Sequence, residues 1–337
     1  MAGVVWATTW ASVIPEGTAR ATMTSYHFVG DVHGNSAQLL ALLGKLGYER
    51  PSPRSDLYLW VPPGDAQLVS VGDLADRGPD SLGCLRVLAR MVAAGHARMV
   101  LGNHELRSIQ MLRAQLGLGP RPNLPMGRRM TWVELLGIED GEKRELLSFL
   151  EGLPTYLELD DGKIVVVHGR WDPSLRQAGD GEQRVAFVRG KPEPRGTEPT
   201  PDGNHPVPLD TLDPSAPLPA RARWVRGYTG RATVVWGHAT VRRGAVVCVG
   251  NTVNVESGCL DGHPLSAWIY PDDAVVQSTG ARPWRAESNR YKPAVDAAYP
   301  EDLEYVAGLV EEYGVTSEDE YIECLGVELA DRGAPLP

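Results

Sequence analysis

Five apolar runs in this chain each stop at a polar cluster led by glycine or histidine. Tyr26–Val29 leads into GDVHG, Leu68–Val71 into GDLADRG, and Met99–Leu101 into GNHE. Ile164–Val167 leads into HG and Thr233–Trp236 into GH. Short continuous apolar runs fit strands buried on both faces. Helical patterns lie between them. Leucines repeat at Leu39, Leu42, Leu43 and Leu46 within Ser36–Leu46. Pro79–Ala94 opens with proline and aspartate, a common helix start, and then places Leu82, Leu85, Val87, Leu88 and Val92 to be buried. Residues 106–153 read as helical with an irregular middle, GLGPRPNLPMG. Strand and helix in alternation predict a layered α/β core. Ligands in such folds sit beyond the carboxyl ends of the strands, where all five clusters fall.

The rest of the chain is less regular. Residues 171–222 are rich in proline and glycine and read as a long insertion. Val246–Val249, Thr252–Val255, Leu265–Tyr270 and Ala274–Gln277 read as antiparallel strands that finish a second sheet. Two amphipathic helices are expected within 300–333, where Ser317 and Glu320 have capping-box spacing. The division that follows is a loose extension at 1–24, one domain at 25–280 and a helical extension at 281–337 packed on that domain.

The totals exclude several classes of function. The formal net charge is −10, against the basic stripe that a long nucleic-acid groove requires. No stretch approaches the roughly 20 apolar residues of a membrane helix. Cys84, Cys248, Cys259 and Cys324 form no Cys-x-x-Cys pair, which disfavours a structural zinc site or a redox motif. No lysine or arginine precedes Arg20, so a secretory signal is not expected, and four thiols in a chain this long fit a reducing cytoplasm. Cys259 is expected to pack in the core.

GDLADRG sets two carboxylates and a guanidinium in one turn after a buried strand. Buried charge is costly unless it is paired or bound to metal. The strand ends together offer Asp31, His33, Asp73, Asn103, His168 and His238 as ligands. Mixed oxygen and imidazole donors suit manganese, iron or zinc better than calcium. Two divalent ions about 3.5–4 Å apart would polarise a phosphate and make hydroxide from a bridging water. Asp73 is the expected bridging carboxylate. His104, directly after Asn103, is placed to protonate a leaving oxygen. Asp76 would fix its tautomer, and Arg77 would grip two phosphate oxygens in a fork.

These five motifs, in this order, resemble the calcineurin-like metallophosphoesterases and their phosphoprotein-phosphatase branch. RGYTGRATVVWGH, NVESGC and LSAWIYP are similar to elements of two bacterial groups. One is the phosphatase domain of polynucleotide kinase-phosphatases; the other is the bis(5′-nucleosyl)-tetraphosphatases. The likeness spans roughly residues 25–280. It implies a four-layer α/β/β/α sandwich of two mixed sheets flanked by helices. It also implies that Asp31, His33 and Asp73 hold one metal ion, and that Asp73, Asn103, His168 and His238 hold the other. His104 with Asp76 resembles the family's general-acid pair, and Arg77 its phosphate-binding arginine. Arg226 matches a relative's Arg-Gly element. The chain departs from the family pattern at three places: HGR instead of HGG or HAG, which puts Arg170 beside a ligand; GHAT instead of GHTP; and NVESGC instead of NIDTGC.

The expected function is a phosphoesterase with two divalent ions, manganese first and iron or zinc as alternatives. It would cleave phosphate monoesters by in-line attack of a metal-bridging hydroxide, as Ser/Thr-protein phosphatases do. A nucleotide or dinucleoside polyphosphate is the alternative substrate, and a non-catalytic phosphate-binding module is the rival of another class. The expected partner is a phosphorylated protein, a nucleotide or another small phosphorylated molecule, with no long nucleic acid and no membrane.

Overall fold

The computed structural model describes residues 25–51, 56–124, 126–173 and 218–280. The expected extension at 1–24, most of the Pro-rich insertion and the C-terminal helices lie outside the described residues, as does Cys324.

The first sheet is built on three parallel strands, β1 (Tyr26–Val29), β2 (Gln67–Ser70) and β3 (Ala97–Met99). The second contains β4 (Tyr156–Leu159), β5 (Ile164–Val167), β6 (Thr233–Trp236), β7 (Val247–Val249) and β8 (Thr252–Asn254). Two late strands, β9 (Ser266–Tyr270) and β10 (Ala274–Gln277), return to the first sheet, giving the order β10-β9-β1-β2-β3. The second sheet runs β4-β5-β6-β8-β7.

The sheets face each other across an apolar layer. Phe28, Val69, Val71 and Val100 from one side meet Ile164, Val166, Val235 and Val253 from the other. The helices α1 (Ser36–Lys45), α2 (Ser81–Ala93), α3 (Asn103–Gln115), α4 (Met126–Leu136) and α5 (Asp140–Glu151) cover the outer face of the first sheet. Leu39, Leu42 and Leu43 on α1 are fully buried there. Each contributes about 1.5–3 kcal/mol relative to an exposed side chain. A short 3-10 helix, Ala220–Gly227, covers the outer face of the second sheet, where Ala222 and Val225 pack with Trp236 and Ala239. The predicted α/β/β/α sandwich is therefore the observed one.

Local details differ from expectation. Asp80 lies outside α2 as its cap, its Oδ1 accepting the Gly83 N–H at 2.8 Å, so the helix begins at Ser81 rather than Pro79. The late strands do not all finish the second sheet. β8 runs parallel to β6, while β9 pairs antiparallel with β1 and stacks Trp268 on Phe28 at 5.4 Å. Apolar patterning marks a strand but does not choose its partner. β4 carries no strong pattern, because as an edge strand it pairs only with β5 and is half exposed.

Candidate metal centre and active site

The parallel strands of both sheets deliver their loops to one rim. There the backbone adopts unusual conformations. His33, Asp73, Asp76, Arg77 and His238 all have positive φ, between 48° and 71°. A non-glycine residue in the left-handed region costs of order 1–3 kcal/mol, so the surroundings must enforce it. Here they do. The N–H groups of Val32 and His33 both donate to the Asp73 carbonyl, at 3.0 and 2.9 Å, and Gly34 N–H donates to the Leu74 carbonyl at 2.7 Å. The GDVHG and GDLADRG turns are thus zipped together. Gly78 lies so close to His33 that a Cβ there would overlap the His33 carbonyl oxygen.

Asp73 is the hub. Its Oδ1 accepts the His104 N–H at 2.9 Å and so caps α3 from another segment. Its Oδ2 faces three imidazoles, with His168 Nε2 at 3.2 Å and the Nε2 atoms of His33 and His104 each at 3.9 Å. Asp31 approaches from β1, its Oδ2 at 4.0 Å from His33 Nε2, and both its oxygens accept the His238 N–H, at 3.1 and 3.0 Å. Two donor groups share Asp73: His33, Asp73 and His104; and Asp73, His168 and His238.

Whether these residues suit metal ions can be judged at His168. Its Nδ1 lies 2.8 Å from the Val71 carbonyl oxygen. A carbonyl only accepts, so Nδ1 carries hydrogen and, in the neutral ring, Nε2 keeps the lone pair. Around that Nε2 stand Asp73 Oδ2 at 3.2 Å, Asn103 Oδ1 at 3.2 Å and His238 Nδ1 at 3.1 Å. Lone pairs facing one another so closely repel unless positive charge sits among them. Ligand bonds of about 2.0–2.2 Å place adjacent donors about 2.8–3.6 Å apart, the spacing found here. The donor set fits a divalent cation.

Without an ion, a proton on His168 Nε2 would supply that positive charge. Burial alone would lower the His168 pKa, but the Asp73 and Asp31 carboxylates push it up to about 10. Burial would raise Asp73, but the imidazoles of His168, His104 and His33 hold it well below the usual carboxylate range. Burial, and then the Glu256 carboxylate, pushes Asp31 well above that range. The pocket favours added positive charge.

Beside this centre, His104 Nδ1 lies 2.7 Å from Asp76 Oδ2, both side chains buried. Nε2 of the same ring is left facing the centre. Arg77 is half-buried near His33; burial, then the His104 and Arg77 charges, lowers the His33 pKa. Arg226 is exposed on the 3-10 helix. Arg170 is half-buried two residues past His168, with no hydrogen bond or ion pair among the described residues. Cys259 is buried, and its Sγ–H donates to the Asp31 carbonyl at 3.0 Å, a packing and bracing role.

Two residues that sequence reasoning passed over, Glu105 and Arg221, belong to this region. Glu105 is fully buried; its Oε2 accepts from Asp73 N–H at 2.7 Å and Gly102 N–H at 3.0 Å, and its Oε1 from Leu74 N–H at 2.8 Å. The signal available was its place as the third residue of a helix, where glutamate reaches back to the cap. Arg221, exposed one residue before the buried Ala222, is near enough for its charge to help lower the His238 pKa, after burial and His168. Thr240, one of the departures from the family pattern, touches another of them, donating to Glu256 Oε1 at 3.0 Å.

Residues 25–262 match the family model described as calcineurin-like phosphoesterase. The chain belongs to that family. Its members hydrolyse phosphate esters at a dinuclear divalent-metal centre, and the chain is a hydrolase of this kind. It is 29% identical over 277 residues to the bis(5′-nucleosyl)-tetraphosphatase PrpE [asymmetrical] of Geobacillus thermodenitrificans, covering 78% of this chain and 97% of the relative. The protein of the same name from Anoxybacillus flavithermus is 30% identical over 273 residues, covering 79% of this chain and 98% of the relative. Among solved structures, a candidate diadenosine tetraphosphatase superimposes with a TM-score of 0.49 at 24% identity, covering 78% of this chain and 96% of that one. No helix among the described residues is long and apolar enough to cross a membrane.

Proposed function

We propose that the chain hydrolyses nucleoside polyphosphates, cleaving a dinucleoside tetraphosphate asymmetrically into a nucleoside triphosphate and a nucleoside monophosphate. The observation that carries this reading is its similarity to bis(5′-nucleosyl)-tetraphosphatases over 97% of the relative's length. The placement of charge supports it. The Arg77 charge helps lower the His33 pKa and the Arg221 charge that of His238, so positive charge reaches a histidine of each donor group. A phosphoserine presents one phosphate, which one guanidinium fork can hold. A tetraphosphate chain carries charge well past the reacting phosphorus and uses both. The nucleotide alternative is therefore favoured over the Ser/Thr-protein-phosphatase type.

In this reading Asp31, His33 and Asp73 hold one ion, and Asp73, Asn103, His168 and His238 the other, manganese being the first choice and iron or zinc the alternatives. When bound, the ions supply Lewis acidity to the phosphoryl oxygens and lower the pKa of a water in the site. The Val71 carbonyl fixes the tautomer of His168, so that its Nε2 lone pair points inward. A water oxygen forms the new bond to phosphorus, its proton passing to solvent, as the bond to the leaving oxygen breaks. His104 Nε2–H gives its proton to that leaving oxygen and recovers one from solvent. Asp76 holds Nδ1–H and stabilises the ring while it is charged. Arg77 and Arg221 orient the phosphates, and Arg226 and Arg170 are the further substrate contacts.

The test is a substrate panel at fixed Mn²⁺: a dinucleoside tetraphosphate, mononucleotides, a phosphopeptide and a 3′-phosphorylated oligonucleotide. The tetraphosphate should show the highest kcat/KM and yield tri- and monophosphate. A phosphopeptide turned over equally well would reject the substrate assignment and leave phosphoester hydrolysis standing.

A further inference from the structure

His238 closes its donor group from a turn that is fastened on one side by Asp31 and on the other by a buried carboxylate outside the predicted ligands. β6 ends at Trp236, and the chain then turns through Gly237 and His238, the latter at φ 66°. Gly237 packs against the Asp31 carboxylate, the Ala239 N–H folds back on the Gly237 carbonyl at 2.7 Å, and His238 N–H is held by Asp31. The far side of the turn leads to Thr240. There Glu256 Oε1 accepts both the Thr240 hydroxyl at 3.0 Å and the Gly258 N–H at 2.8 Å. Glu256 is only 5% exposed and follows directly from the end of β8, which is hydrogen-bonded to β6. Asn254 adds a second tie, from its Nδ2 to the Trp236 carbonyl at 3.4 Å. The strand that carries His238 and the strand that carries Glu256 are thus clamped as neighbours.

We infer that Glu256, acting through Thr240, is a positioning residue that aims His238 into the donor group it forms with Asp73 and His168. The pair is specific in its chemistry. The Thr240 hydroxyl must donate, and one oxygen at the reach of a glutamate must accept from two donors at once. Valine at 240 keeps the shape and deletes the donor. Glutamine at 256 keeps an acceptor oxygen and deletes the charge. His33 and His104 lie outside this clamp, while Asp31 is its other fastening, so the second ion site should respond more strongly than the first.

The experiment is Mn²⁺ titration of chelator-treated protein by calorimetry, with metal content measured after dialysis, on wild type and the variants Thr240→Val, Thr240→Ser, Glu256→Ala and Glu256→Gln. Loss of a partner that orients a ligand weakens metal binding about 10–100-fold. Thr240→Val should weaken one of two Mn²⁺ sites by that factor and leave the other unchanged, and Glu256→Ala, which also removes a charge acting on Asp31, should weaken the same site more than the other. Thr240→Ser and Glu256→Gln should bind nearly as wild type. The double variant Thr240→Val/Glu256→Ala should be no worse than the weaker single variant. Unchanged binding at both sites in Thr240→Val overturns the inference. So does an equal loss at both sites, or additive losses in the double variant. None of these readings depends on which phosphate ester the enzyme cleaves.

Discussion

Glu105 offers the most direct test of how the rim is held. Its two oxygens accept the N–H groups of Asp73, Gly102 and Leu74, at 2.7, 3.0 and 2.8 Å, with no exposure to solvent. Glu105→Ala removes the acceptor for all three donors. A buried donor left unpaired costs about 1–3 kcal/mol, so the loss lies between about 3 and 9 kcal/mol, toward the low end if water enters the space. Glu105→Gln is milder. Its single carbonyl oxygen can keep the pair from Asp73 and Gly102, while its amide faces the Leu74 N–H, donor against donor. One lost bond predicts about 1–3 kcal/mol. The assay is urea unfolding of chelator-treated protein, so that bound metal does not mask the effect. The expected order of stability is wild type, then Gln, then Ala. If Ala were as stable as Gln, or both lay within about 0.5 kcal/mol of wild type, the three bonds would not brace the turn.

Other expectations can be checked alongside. Burial raises Glu134 to a pKa of about 7 from 4.5, opposed by the bond its Oε2 accepts from Leu82 N–H at 2.6 Å. Since the folded-state value lies above the unfolded one, its stabilising share is full below pH about 4.5 and fades as pH rises through about 7, by up to about 3 kcal/mol. Relative to Glu134→Gln, wild type should therefore lose stability in urea unfolding between pH 5 and 8, and parallel pH curves would contradict this. Arg221→Ala should raise KM for a dinucleoside tetraphosphate about tenfold while leaving p-nitrophenyl phosphate turnover near wild type; equal effects on both would remove Arg221 from polyphosphate binding. His104→Ala should lower kcat about 10²–10⁴-fold on an alkyl phosphate, whose leaving oxygen needs a proton, and far less on p-nitrophenyl phosphate. A loss independent of the leaving group would deny His104 the role of general acid.

What could be read from the sequence divides along a physical line. β5 was legible because a strand buried on both faces is apolar at every position, as its IVVV shows, and β1 and β6 because their apolar runs are broken only by His27 and Thr233. The candidate ligands were legible because metal chemistry demands particular donor atoms, and loops at strand ends must carry them. β4 was not legible, since its YLEL keeps only one residue buried. The return of β9 to β1 was not, since pairing depends on which edge is open once the sheet exists. The braces are the sharpest case. Glu105 stands next to His104, yet two of its three partners are backbone N–H groups 32 and 31 residues away. A backbone donor is present at every residue but proline, so nothing in those partners' identity marks the contact. Glu256 reaches Thr240 across 16 residues and is equally silent. A chain can advertise the atoms that touch the chemistry, because their elements are prescribed. It cannot advertise the layer behind them to the same degree, because many side chains can accept a hydrogen bond and geometry alone selects the one that does. Substitutions in that second layer should therefore separate aim from chemistry, weakening one ion site at a time while His104 and Asp76 remain paired.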